Sequence, residues 1–123
     1  MSSFNCPEEV LLAEKLIELH PWADMVRLAR TGGEANAISI RIARAASCRD
    51  TIAICGYHGW HDWYLSTNIN DKNSLEEHLL AGLEAKGVPK VLKGSVKPFS
   101  FNNLEQLKNI VSKNKLAAIK MEV

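Results

Sequence analysis

No apolar run in this sequence of 123 residues approaches the roughly 20 needed to span a bilayer. The opening residues, Met1-Ser2-Ser3-Phe4-Asn5-Cys6-Pro7, lack the basic start and apolar core of a signal peptide. No sign of charge dominates: 15 Lys and Arg stand against 14 Asp and Glu, a net charge of +1. Without a basic field, nucleic acid is not an expected partner. Cysteine is scarce. Cys6, Cys48 and Cys55 are odd in number, widely spaced and form no CxxC. They fit reduced thiols of a cytoplasmic protein better than a disulfide framework. Two nucleotide signatures are also missing. There is no GxxxxGK[ST] and no GxGxxG followed by an acid about 20 residues on. A nicotinamide-binding domain is therefore a poor alternative.

What is present is an ordinary globular composition, 46% hydrophobic and 24% charged. Pro7-Glu8-Glu9 opens a helix to about His20, because proline suits the first helical position and acids complement the helix dipole. Val10, Ala13, Leu16 and Ile17 form its apolar stripe. Asp24 to Arg30 alternates in part and predicts a short strand, with Arg27 and Arg30 on one side and open to internal pairing. Thr31-Gly32-Gly33 breaks it. A second helix is expected from Glu34, burying Ala35, Ile38, Ile42 and Ala45 and turning Arg41 and Arg44 to solvent. Thr51-Ile52-Ala53-Ile54-Cys55 has the β-branched, uninterrupted character of a buried parallel strand. Residues 57–74 read as irregular. Ser74 and Glu77 form a capping box for a helix ending by Gly82 or Gly87. A strand is expected within Val88–Val96, a helix from Leu104 to about Ser112, and a last strand over Leu116–Val123. Strands alternating with helices predict an α/β fold, a three-layer sandwich around a mostly parallel sheet.

Two loops could carry chemistry. In Thr31-Gly32-Gly33-Glu34, two glycines lead into a helix whose first N–H groups are free to meet an anion. The same residues also suit a plain tight turn. Gly56-Tyr57-His58-Gly59-Trp60-His61-Asp62-Trp63-Tyr64 follows the carboxyl end of the second strand, the edge where open parallel sheets bind ligands. Tyr57 offers a flat face to an aromatic ligand and His58 a titratable neighbour. The cluster equally suits packing beneath an adjacent segment. A metal site from Cys55, His58, His61 and Asp62 matches no zinc spacing, and Gly56 and Gly59 oppose the helix it would need. Lys86, Lys90, Lys93 and Lys97 read as a solvated basic stretch, and His20 and His78 as surface or core-edge residues.

Three segments together resemble the class III aminotransferases, a fold-type I pyridoxal-phosphate family that includes glutamate-1-semialdehyde aminomutases. Thr31-Gly32-Gly33-Glu34-Ala35-Asn36 with Ile40-Arg41-Ile42-Ala43-Arg44 resembles the family's SGTEAN…RLAR. Gly56-Tyr57-His58-Gly59-Trp60-His61-Asp62 resembles its YHG segment, and Ala118 to Val123 the strand before its EP dipeptide. The resemblance implies pyridoxal 5'-phosphate as cofactor. Gly32 and Gly33 would hold its phosphate through backbone N–H groups, Tyr57 would stack on its ring, and His58 would lie beside that ring. Glu122 would lie near the cofactor, and Glu34 near the phosphate loop. Gly33 stands where the family has Ser or Thr, so a hydroxyl contact is lost. The family's cofactor-bonding lysine and its ring-nitrogen aspartate lie downstream of the segment ending at Glu122. Residues 1–123 are thus expected to be a partial cofactor-binding large domain with no catalytic residue of its own. A complete relative would move an amino group from a small-molecule donor to an oxo acceptor, or between two carbons of one substrate, as a homodimer. A non-catalytic binding module built on the same half-domain is the alternative.

Overall fold

The computed structural model describes residues 6–69 and 83–122. Helix α1 spans Pro7–Leu19 and α2 Gly32–Ser47. Strand β1 spans Thr51–Cys55, and a short helix, α3, follows at Asp62–Leu65. Strand β2 is Val96–Pro98, α4 is Leu104–Lys113 and β3 is Leu116–Met121. The three strands form one parallel sheet in the order β2-β1-β3. The expected α/β fold is what the chain adopts.

β1 lies at the centre because its side chains can be buried on both faces. Ile52 and Ile54 point into one cluster with Ile40, Trp63, Tyr64, Leu65, Val88 and Val96. Ala53 and Cys55 point into another with Phe99, backed by Leu107 and Ile110 of α4. Thus α2 and the segment around α3 cover one face and α4 the other. The alternation is the period-2 pattern of a strand buried on both sides. β2 tolerates a proline because the neighbouring N–H does the pairing: Phe99 donates to the Ile54 carbonyl at 2.9 Å. Alternate residues of a parallel strand point their donors in opposite directions, so the donor missing at Pro98 belongs to the outer edge.

Helix ends follow local chemistry. Glu9 Oε2 accepts from the Cys6 backbone N–H at 3.3 Å at the start of α1. Asn103 caps α4 by accepting from Gln106 N–H at 3.0 Å. α2 begins two residues earlier than Glu34, since Thr31 caps it.

Four expectations need correction. Residues 24–30 form no strand: they bend at Asp24 and Arg30 and have no ladder partner among the described residues, and Met25 is 87% exposed. Arg27 and Arg30 are on the surface. The stretch from Val88 to Ser95 turns, with one 3₁₀ turn at Lys90–Leu92, and the strand starts only at Val96. Pro89 and the positive-φ Gly94 explain the delay. Residues 62–69 are helical rather than irregular, α3 running on into a 3₁₀ turn at Ser66–Ile69. Finally, α2 buries Ile40 and packs Ala37 beside it, while Ile42 is 58% exposed and Ala35 and Ala45 also face solvent. The helix carries two apolar faces, and the one bearing Ala37 and Ile40 meets the sheet. Arg44 is correspondingly half-buried, with Nε donating to the Asp50 carbonyl at 2.8 Å. The helix expected from Ser74 lies outside the described residues. The last strand ends at Met121, with Glu122 beyond it.

Ile54 has no solvent exposure and sits on the central strand. Ile54→Ala is expected to destabilise the chain by about 2–5 kcal/mol, read from the urea midpoint, because the cavity cannot collapse between fixed strands.

Candidate functional site

The site grows from the carboxyl end of β1. Two backbone donors hold it to the end of β3: Glu122 N–H donates to the Cys55 carbonyl at 3.0 Å, and Tyr57 N–H donates to Glu122 Oε2 at 3.1 Å. Gly56 makes this possible. Its φ is +89°, and a Cβ there would meet Glu122 Cβ at 2.7 Å.

The second contact joins the two candidate loops. Gly59, at φ +102°, lies so close to α2 that a Cβ on it would meet Gly33 Cα at 2.8 Å. Asn36, one turn into α2, donates through Nδ2 to the His58 carbonyl at 3.1 Å. The glycine turn and the aromatic loop are thereby locked face to face.

Thr31 sets the donors at the helix start. Its Oγ1 accepts from Glu34 N–H at 3.1 Å and its carbonyl from Ala35 N–H at 3.0 Å. Glu34 turns back, its Oε2 accepting from Arg30 N–H at 2.9 Å. The N–H groups of Gly32 and Gly33 precede the first intrahelical bond and remain available for an anion.

The result is an open cleft of about 630 Å³, lined by Thr31, Gly32, Gly33, Asn36, Tyr57, Gly59, Trp60, His61 and Glu122. Four of the five cofactor-site residues read from the sequence, Gly32, Gly33, Tyr57 and Glu122, meet there. Tyr57 is half-buried, its ring nearly perpendicular to that of Tyr64 at 5.8 Å. Tyr64 is fully buried and donates to the Gly56 carbonyl at 3.2 Å; burial first, then Tyr57 and Glu122, push its pKa up to about 12.

His58 is placed differently. It is 4% exposed and lies behind the cleft wall, near-parallel to Trp63 at 6.3 Å. Its Nε2 is 2.9 Å from the Cys55 carbonyl and so carries the hydrogen. Burial lowers its pKa, against a smaller opposing pull from the Cys55 carbonyl. Burial thus favours the neutral ring, and His58 braces the loop. Burial also pushes the Cys55 thiol up. The aromatic run splits in two: Trp63 and Tyr64 join the core, while Tyr57 and Trp60 stay at the cleft.

Sequence reasoning missed Asn36 and His61 as cleft residues. Asn36 lies three positions after Gly33 and so on the same helix face, a signal that was there to use. His61 has no such periodicity, because it precedes α3 in a loop. Among the described residues, no cluster of three or more His, Cys, Asp or Glu could hold a metal ion. Nor is any helix there long and apolar enough to cross a membrane.

The chain is 36% identical over 104 residues to the 3-aminobutyryl-CoA aminotransferase of Cloacimonas acidaminovorans, covering 85% of this chain and 21% of that protein. It is 30% identical to the glutamate-1-semialdehyde 2,1-aminomutase of Methanobrevibacter smithii, covering 99% of this chain and 29% of the relative. These relatives are an aminotransferase and an aminomutase. Among solved structures, an omega-transaminase from Sphaerobacter thermophilus superposes with a TM-score of 0.71 at 25% identity, over 98% of this chain and 29% of the transaminase. No protein-family model matches. The chain thus spans between a fifth and a third of the length of these relatives.

Two outcomes test the site as built. Gly56→Ala should cost at least about 1–2 kcal/mol from the left-handed backbone alone, and more as Glu122 is displaced. Gly32→Ala, with nothing within 4 Å of the added Cβ, should be neutral or stabilise by up to about 1 kcal/mol. Thermal melts of the pair read this contrast. The lowered pKa of His58 gives a pH signature. The unfolded chain takes up a proton at this residue before the folded one does. Stability should therefore fall as pH drops through the ordinary value of 6.5, and level off below the folded value. His58→Gln should flatten that slope in denaturant midpoints measured between pH 7.5 and 5.

Proposed function

We propose that this chain forms the phosphate-and-ring cradle of a pyridoxal-phosphate enzyme of the aminotransferase or aminomutase kind. The observation that carries the reading is the meeting of Gly32, Gly33, Tyr57 and Glu122 in one cleft. The donor chemistry fits the group. Free amides at the start of α2 suit a phosphate, and glycine at 33 and 59 lets the two loops close to a separation that a side chain would fill. Tyr57 supplies an aromatic wall, and Glu122 a carboxylate already fixed by Tyr57 N–H.

When bound, pyridoxal phosphate withdraws electrons from a substrate amine's carbon and so labilises its bonds. The residues of this chain orient and hold. Gly32 and Gly33 N–H groups and the α2 dipole bind the anion. Tyr57, fixed against Tyr64, limits the plane of the ring. Asn36 and His58 keep the aromatic loop closed over the helix start. Among the described residues no lysine lines the cleft, and Lys120 is directed elsewhere, its Nζ 3.5 Å from Ser39 Oγ. Proton transfer and covalent attachment are therefore assigned to parts of the enzyme outside residues 1–123, which make up a partial large domain. The substrates are an amino donor and an oxo acceptor, and the whole enzyme is a cytoplasmic homodimer.

Titration of the purified chain with pyridoxal phosphate, followed by absorbance, should saturate and leave no borohydride-reducible bond to lysine. Tyr57→Ala should weaken binding by about threefold to tenfold, the worth of one aromatic contact. Absence of saturable binding would refute the cradle. A reducible adduct on one specific lysine would refute the assignment of the covalent anchor elsewhere.

A further inference from the structure

The ring of His61 occupies the space that a side chain at position 33 would take. A Cβ built on Gly33 would lie 3.1 Å from both Cδ2 and Nε2 of His61. The imidazole is thus drawn over the first turn of α2, against the residue whose N–H is free. His61 lines the cleft together with Thr31, Gly32, Gly33 and Tyr57, and also lines a groove on its other side beside Arg30 and Glu34. It forms the wall between the two. His61 is the residue before α3, yet its side chain does not cap that helix. Neither ring nitrogen has a hydrogen-bond partner among the described residues, although the residue is well placed to find one.

Resting on the cofactor reading above, we propose that His61 is a positioning residue for the cofactor phosphate, adding a side-chain N–H to the backbone donors of Gly32 and Gly33. Glycine at 33 is what gives the ring room to approach. The two residues act as a pair: the missing side chain on the helix is replaced, in space, by an imidazole from the facing loop. The contact is to the phosphate and not to the pyridine ring, because the ring of His61 lies against the helix start.

The test compares pyridoxal phosphate with pyridoxal, which lacks the phosphate, on the full chain by equilibrium fluorescence titration. His61→Ala should weaken pyridoxal phosphate about tenfold, as loss of one hydrogen bond to a charged group does, and leave pyridoxal unchanged. His61→Phe, which keeps an aromatic ring and removes the N–H donor, gives the same reading should the alanine variant fold poorly. Gly33→Ala, which crowds the ring without removing it, should weaken only the phosphate-bearing ligand as well. Equal affinity of wild type and His61 variants for pyridoxal phosphate would overturn this role while leaving the cradle intact. An equal loss for both ligands would assign His61 to the ring or to folding and overturn it too. Failure of the wild-type chain to bind pyridoxal phosphate would overturn the cradle itself, and this role with it.

Discussion

Everything at the site depends on how the end of β1 is held. Glu122 donates through its backbone to Cys55 and accepts through its carboxylate from Tyr57. One residue at the end of β3 therefore fixes both the last ladder bond of the central strand and the first residue of the loop that follows. Gly56 lies between, in a conformation and a space that no side chain would share cheaply. Because the turn is fixed there, Gly59 arrives against Gly33, and the aromatic loop closes on the helix start. The cleft is the gap left between these contacts.

The same clamp explains the buried polar residues behind it. His58 and Tyr64 each give their hydrogen to a carbonyl of the β1 terminus, Cys55 and Gly56. Buried polar groups are tolerated only when paired, and these two are paired to main-chain oxygens at the end of the central strand. They stiffen the cleft wall without entering it. Trp63 shields His58, and this burial, more than any charge, sets the titration behaviour of the histidine.

The architecture and the location of the site were legible in the sequence to different degrees, for physical reasons. β1 was plain, since a strand buried on both faces is apolar without interruption. α1 and α4 were plain from their opening residues. The strand expected at residues 24–30 was not one: alternation shows which side chains could share a face, but not whether a neighbouring edge exists to pair with. The buried face of α2 was misread because both of its faces are apolar enough, and helical periodicity alone does not say which of them meets the sheet. The cleft residues Gly32, Gly33, Tyr57 and Glu122 followed from motifs. The inward turn of His58 did not, because a histidine's partner is a matter of tertiary structure. His61 is weighed in the sequence only as a metal ligand, because its approach to α2 depends on an absent atom, the Cβ of residue 33.

The proline in β2 has a consequence for the shape of any larger sheet. Ladder growth needs an unbroken series of donors and acceptors along the free edge. The outer margin of β2 lacks one donor at Pro98, and the strand is only Val96–Pro98 long. β3, at the opposite margin, spans Leu116–Met121 and carries an N–H on every residue. The sheet is thus polarised: it is finished on one flank and extensible on the other. Additional strands would join beside β3, and the cleft, resting on Glu122 at the end of that strand, would then move from the border of the sheet toward its middle.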